Sequence, residues 1–428
     1  MARKMKDSGI EWIGEIPEGW ELIKAKYLFS QRNEKGNSTL VLLSPTQKYG
    51  VIPQSQLEGV VQVKENTDLR AFKTIHIGDF VISLRSFQGG FEFSNYEGVC
   101  SPAYQVLHAT KDLSNDFFRY LFKSDGFISK INSLTVGIRE GKNIQYWDFS
   151  NMLLALPPKE IQIRSAQYLN AKCTEIDTML SKTRSSIEEY KKLKQAVITQ
   201  AVTKGVRGER EMKDSGVEWI GEIPREWDLI KATRIIKSTQ NGLTRRNLEK
   251  SDGQIVLKLK NITADGKIDY TYQNRIALSS KELESYALSS GDFLFVRVNG
   301  SKTLVGKCAI FNPIGESVAY NDHIIRVKLS NYCYSKFFFW YLCSSCGKAE
   351  IDLHTSTAAG QYTISGEGLR DINLVFPALS EQTEIANYLD AKCAEIDRLI
   401  AKKEQLVKEL KSYKKSLIYE VVTGKREV

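Results

Sequence analysis

Two long stretches of the chain place apolar residues at alternating steps of four and three. In the first, Leu169, Cys173, Ile176, Leu180, Ile187, Tyr190, Val197 and Ala201 hold the register, with Thr183 and Lys194 in the gaps. In the second, Leu389, Cys393, Ile396, Ile400, Val407, Leu410, Leu417 and Val421 repeat it, with Lys403 and Lys414 in the gaps. This spacing predicts two coiled-coil helices, each burying one seam. Pro157-Pro158 and the segment Pro377 to Ser380 precede them, and Gly205 and Gly424 follow as stops. Elsewhere the pattern shortens. Strand-like runs at Val41 to Leu43, Phe80 to Leu84 and Gln105 to Leu107 precede a helical run, Phe117 to Ile131. Runs at Ile255 to Leu259, Phe293 to Val298 and Ile324 to Val327 precede a second, Phe337 to Cys346. The expected fold class is α/β (α+β): two mixed domains and a long antiparallel two-helix coiled coil.

The two halves are copies. Met5 to Ala25 (MKDSGIEWIGEIPEGWELIKA) and Met212 to Ala232 (MKDSGVEWIGEIPREWDLIKA) agree at 17 of 21 positions, 207 residues apart. Tyr168 to Leu180 (YLNAKCTEIDTML) and Tyr388 to Ile400 (YLDAKCAEIDRLI) match 220 residues apart, and Gly78-Asp79-Phe80 matches Gly291-Asp292-Phe293. Each half therefore runs short motif, variable domain, long helix. The boundaries read as a first domain over 1–157, helix 158–205, a second domain over 206–376, and helix and tail 377–428. Helices of about 40–45 residues span about 65 Å at 1.5 Å per residue. Antiparallel packing brings the end of one to the start of the next across the second domain, which predicts a rod with a globular domain at each tip and an approximate two-fold axis. The tail Val422 to Val428 resembles Val202 to Gly208, so the chain is nearly circular.

Composition is that of ordinary globular protein, 42% hydrophobic and 26% charged, so disordered and fibrous classes are excluded. A net charge of +9 suits a polyanionic partner. The start, MARKMKDSGIEW, lacks the apolar core of a signal peptide, and no run approaches the roughly 18 apolar residues of a spanning helix. The expected location is cytoplasmic. Seven scattered cysteines fit reduced thiols. Cys343 and Cys346 form a CxxC without a second pair, in an aromatic helical run, and read as a packed face and not a zinc site. His76, His108, His323 and His354 show no metal-ligand spacing.

The paired KDSG[IV]EWIGEIP motif, each copy followed by Trp, and the paired YL[ND]AKC.EID helix together resemble the specificity subunits of type I restriction-modification enzymes. The resemblance covers essentially the whole chain. It implies two target recognition domains that read an asymmetric bipartite site on double-stranded DNA. It further implies helices that space those domains and dock two modification (methyltransferase) subunits, with two restriction subunits added. S-adenosylmethionine would sit on the modification subunits, ATP and Mg on the restriction subunits, and no cofactor on this chain. A non-catalytic subunit is the expectation. Asn312-Pro313-Ile314-Gly315 lacks the aromatic of a base-methylating motif, and GSKTLVGK at Gly300 to Lys307 is one residue too long for a phosphate loop and reads as a turn. A stand-alone methyltransferase specificity subunit is the alternative; a fused modification enzyme is disfavoured.

Base reading requires donors and acceptors on exposed loops. The loops after the matched Gly-Asp-Phe strands nominate Arg85, Ser86 and Gln88 in the first domain and Arg297, Asn299, Ser301 and Lys302 in the second. Tyr49, Arg139, Lys142 and Asn143, and Lys258, Lys260, Asn261, Asn321 and His323, complete the DNA-binding candidates. Trp12, Trp20, Trp219 and Trp227 sit in a motif kept constant between domains that differ, so they are assigned to scaffold or docking. The repeat alone also predicts that residues 1–208 pair antiparallel with a second copy of themselves and read an interrupted palindrome.

Overall fold

The computed structural model describes residues 3–36, 39–57, 69–82, 89–134, 144–244, 249–263, 265–358 and 360–428, with backbone alone at 249–251 and 358. The chain forms two compact units, Met1–Arg184 with Glu404–Val428, and Ser185–Lys403. Each carries the same core. In the first, Met5–Asp7 pairs with Glu15–Pro17, and Glu21–Lys24 pairs with Leu153–Leu156. A four-stranded sheet follows, ordered Phe29–Arg32, Gln105–Ala109, Phe80–Ile82, Glu92–Phe93. Helices α1 (Asn115–Leu121), α2 (Asp125–Leu134) and α3 (Tyr146–Ser150) lead to the long helix α4 (Lys159–Lys204).

In the second unit Met212–Asp214 pairs with Glu222–Pro224, and Asp228–Lys231 with Asn373–Phe376. Its sheet has the same order, Ile236–Asn241, Ile324–Leu329, Phe293–Val296, Cys308–Ile310. Helix α5 (Ser280–Tyr286) is followed by α6 (Ser335–Cys343), α7 (Ser345–Leu353), α8 (Gly366–Arg370) and the long α9 (Leu379–Val422). The aromatic run expected as one helix is two in both units, broken at Ser124 and Ser344. Ser344 Oγ donates to Tyr341 O and accepts from Gly347 N, and Ser124 Oγ donates to Leu121 O and accepts from Phe127 N. A buried hydroxyl that satisfies one helix end and caps the next makes the break stable inside an apolar sequence.

The long helices pair antiparallel within each unit. In the first, Leu169, Cys173, Ile176 and Leu180 from the start of α4 share a buried cluster with Leu417 and Val421 from the end of α9. In the second, Ala201 from the end of α4 packs with Leu389 and Cys393 from the start of α9. Among the predicted seam positions none is exposed. Near their ends the helices bury more than a seam, since Ala166, Ile198, Val202, Ile385, Ala386 and Val422 join the domain cores. The two seam lysines are satisfied across the pair. Lys194 Nζ donates to both oxygens of Asp397 at 2.7 Å, and Lys414 Nζ to both oxygens of Asp177 at 2.7 Å.

The repeated motif closes each unit. Trp20 and Trp227 are 2% and 1% exposed, and Gly424 and Gly205 pass so close to their rings that an added Cβ would lie 2.8 Å and 3.2 Å away. Both glycines have left-handed φ, +75° and +79°, which ends the helices there. In the second unit Glu381, 4% exposed, accepts from Arg210 Nη2 at 2.7 Å and Trp227 Nε1 at 2.9 Å. The matching position in the first unit is Ile161. Replacing Glu381 by Ala leaves the largely buried Arg210 guanidinium with Glu226 alone and the Trp227 indole N–H without its acceptor, which costs about 2 kcal/mol. Hydrogen exchange should show lost protection across 212–232 and unchanged protection across 5–25.

Candidate nucleic-acid interface

In the second unit, three strand ends converge through the backbone. Glu249–Leu257 runs parallel to Val318–Tyr320, with Leu257 beside Tyr320. Asn321 N then donates to Leu257 O at 3.0 Å, and Asp322 N to Leu243 O at 2.9 Å. Gly242 lies against Tyr320 O and Asn321 O, where a Cβ would come within 2.4 Å and 2.3 Å, so only glycine fits this crossing. Lys258 and Asn321 therefore emerge side by side. Arg297 joins them: its N–H donates to His323 O at 2.8 Å, and its guanidinium to Asp322 O at 2.9 Å. Val298–Asn299 continues the run as an edge against Gln361–Ile364, which pairs in turn with Thr355–Ala358. Lys258, Arg297, Asn299, Asn321 and His323 are thus linked in one polar ridge.

Four other candidates of this domain have local work. Asn261 is 2% exposed; its amide donates to Asp269 O and Tyr272 O, and its carbonyl accepts from Lys258 N. It shapes the loop that presents Lys258 and Lys260. Lys260 lies over the Tyr272 ring. Lys302 faces Asp352 at 3.7 Å, and Ser301 Oγ shares a hydrogen bond with Thr303 Oγ1 at 3.0 Å, so the chain turns away from the ridge there. The turn reading of Gly300 to Lys307 holds, with a single 3-10 turn at Lys302–Leu304 before the strand Cys308–Ile310.

In the first unit, Arg85, Ser86, Gln88, Arg139, Lys142 and Asn143 lie outside the described residues, as does the end of the run Phe80 to Leu84. Their surroundings are informative. Tyr49, 57% exposed, tips the hairpin of Leu43–Thr46 and Gly50–Pro53, with Lys48 Nζ 4.6 Å from its ring centre. An added Cβ at Gly89, where the chain resumes after Gln88, would lie 3.1 Å from Gln47 of the same hairpin. The hairpin and Gly89 are neighbours. Lys123 anchors that point, donating to Gly89 O at 2.7 Å and to both oxygens of Glu92 at 2.7 and 2.8 Å. Glu92 is buried within the sheet edge, and burial pushes its carboxyl up to about 7 against the pull of the Lys123 ammonium.

A description of the type I restriction modification DNA specificity domain matches residues 224–409. The StySPI specificity subunit of Salmonella potsdam is 25% identical over 74% of this chain and 67% of its own length. The EcoKI specificity subunit of Escherichia coli K12 is 25% identical over 69% of this chain and 62% of its own length. The MjaVIII specificity subunit of Methanocaldococcus jannaschii is 24% identical over 96% of this chain and 94% of its own. Residues 224–409 form a type I restriction modification DNA specificity domain, and the chain is similar to type I specificity subunits along its length. The fold agrees: a chain solved in work on complex assembly and conformational transition of the type I R-M system aligns over 95% of this chain and 98% of that one, at TM-score 0.71 and 14% identity. The HsdS subunit from Thermoanaerobacter tengcongensis aligns over 96% of this chain and 98% of its own, at TM-score 0.55 and 16% identity.

The chain carries further polar residues at this ridge that the sequence did not single out. The hairpin Thr355–Ala358 with Gln361–Ile364 brings Thr357, Gln361 and Tyr362 to the ridge of the second domain. Its signal was present: polar and β-branched alternation about Ala359-Gly360, with Gly360 at φ +76°. It stands 220 residues after the stretch holding Arg139, Lys142 and Asn143, which lies outside the described residues. Lys48 was missed as the partner of Tyr49. The CxxC is a packing element: Cys346 is buried with Sγ on Trp219 O, and burial pushes Cys343 up to about 11, which disfavours the thiolate a metal needs. No cluster of metal-ligating side chains occurs among the described residues, and no helix is long and apolar enough to cross a membrane.

The Glu92 anchor makes the first domain sensitive to pH. The folded carboxyl binds its proton up to about pH 7, whereas the unfolded one releases it near 4.5. The contribution is greatest below pH 4.5 and declines as pH rises through 7, by about 3 kcal/mol for a shift of this size. Exchange protection of the Phe80–Ile82 amides, compared between wild type and Glu92→Gln at pH 5 and pH 8, should fall with pH in the wild type and much less in the variant. Equal slopes would contradict the assignment.

Proposed function

We propose that this specificity subunit reads an asymmetric, interrupted DNA site, one half-site per domain, and positions two modification subunits on it, to which two restriction subunits bind. One observation carries the reading. The short motif is repeated at 17 of 21 positions, while the nominated residues differ between the halves: Lys258, Arg297, Asn299, Asn321 and His323 in the second, and Tyr49, Arg85, Arg139, Lys142 and Asn143 in the first. Lys and Arg on the ridge suit phosphates and guanine edges, Asn suits adenine, and the two roles separate experimentally. The chain would act without catalysis of its own, with S-adenosylmethionine on the modification subunits and ATP and Mg on the restriction subunits.

Methylome sequencing of a host expressing this chain with its cognate modification subunit should return a bipartite, non-palindromic motif. Replacing Arg297 by Ala should relax the second half-site by about 1–3 kcal/mol if it reads a base, and weaken all sites uniformly if it holds phosphate. Either outcome must leave the first half-site intact. Inserting matched helical turns into α4 and α9 should lengthen the unread gap and preserve both half-sites. A continuous palindromic motif, or methyl transfer by the isolated chain, would refute the reading.

A further inference from the structure

The ion pairs between the long helices fall into two kinds. Lys194 with Asp397 and Lys414 with Asp177 are copies of each other, since residues 220 apart are equivalent and both helices carry the same Asp and the same Lys. This pair cannot tell one helix from the other. A first-half chain paired with itself would keep it, Lys194 meeting the second copy's Asp177.

The pair at the helix ends is different. In the second unit Arg207, just past α4, donates from Nε to Glu384 in the first turns of α9 at 2.9 Å, with a second contact from Nη2 at 2.8 Å. The equivalent positions in the first unit are Glu427 and Arg164, with the signs exchanged. Arg164 and Glu427 line one small recess, where the Arg164 guanidinium bonds to Val428 O. The residue numbers of Arg207 with Glu384 and of Arg164 with Glu427 add to the same total as those of each Lys–Asp pair, so all belong to one antiparallel register. Two first halves would set Arg207 against Arg164 at both ends; two second halves would set Glu384 against Glu427. Only unlike halves satisfy both ends. Lys415 adds to the exclusion of second-half pairs: it meets Asp125 at 3.0 Å, whereas Gln195, which holds its place in the second unit, accepts from Lys348.

We infer that these exchanged charges specify the pairing of unlike halves, so that the interaction surface of each half is fitted to the other half and against a copy of itself. This revises the expectation, drawn from the repeat alone, that residues 1–208 pair freely with a second copy. The repeated seam supplies affinity without discrimination, and the end charges supply discrimination.

The test starts from the full chain with a protease site inserted after Gly208, purified intact and then cut. Isotope-labelled and unlabelled preparations are incubated together, with urea raised until label mixing is complete, and pair composition is read by native mass spectrometry. At low salt, matched pairs should exceed the random expectation of one half, and first-half self-pairs should fall roughly fivefold or more below their random share, a size consistent with a few exposed charge contacts acting together. High salt should restore much of that share, because exposed charges are screened. The double reversal Arg207→Glu with Glu384→Arg keeps opposite charges at each matched end and removes the repulsion in both kinds of self-pair. It should raise first-half self-pairs roughly fivefold at low salt by the same reasoning. Random composition in the wild type at low salt, or a self-pair share unmoved by salt and by the reversal, would overturn the inference.

Discussion

The structure depends on the contact of Lys194 with Asp397 and its copy, Lys414 with Asp177. A seam of Leu, Ile and Val buries apolar surface at more than one offset, because a shift by one heptad exchanges one apolar residue for another. A lysine in the seam is costly at every offset except the one that gives it a carboxylate. Its stem lies along the apolar surface while the ammonium reaches Asp at the rim, with side-chain exposures of 24% for Lys194 and 55% for Asp397. The lysine that weakens the seam in the sequence therefore sets the register in the fold, as polar residues in coiled-coil seams do.

From that register the rest follows in layers. Each unit receives the end of one long helix and the start of the other, and seats them under its own copy of the Trp motif. Tyr419 OH and Lys425 Nζ both donate to Ile13 O in the first unit, while Thr199 and Gln195 hold Ser345 and Cys343 in the second. Tyr419 and Thr199, 220 residues apart, thus hold different parts of the backbone in the two units. Sheet order and the serine-broken helix pair are constant, and variation is left to strand ends and hairpins, where a changed residue alters what is displayed and little of what is packed.

The helices, the repeat and the domain class were legible because periodicity and self-similarity are properties of the sequence itself. The motif tryptophans were assigned to packing on the argument that a constant motif cannot encode a difference, and Trp20 and Trp227 are buried accordingly. The break at Ser344 was illegible, since Phe337 to Cys343 is aromatic or apolar and two serines at its end give no periodic signal. Asn261 looked like a reader because Asn in a polar loop offers a donor and an acceptor, and both are consumed by the loop itself. Lys258 and Asn321 were legible as polar residues after strands, but their adjacency arises from a parallel strand pair far apart in sequence.

The central claim is that the chain is two equivalent halves closed by reciprocal contacts, each half supplying one reader. It is tested most directly by moving the break in the chain, since Lys425 and Ile13 already join the two ends within one unit. A permuted chain that begins at Met212, runs to Val428, and continues through a short linker into residues 3–208 should direct the same bipartite methylation motif with the same gap when expressed with the cognate modification subunit. A folded permutant that marks a different motif, or the same half-sites at a different gap, would contradict the account.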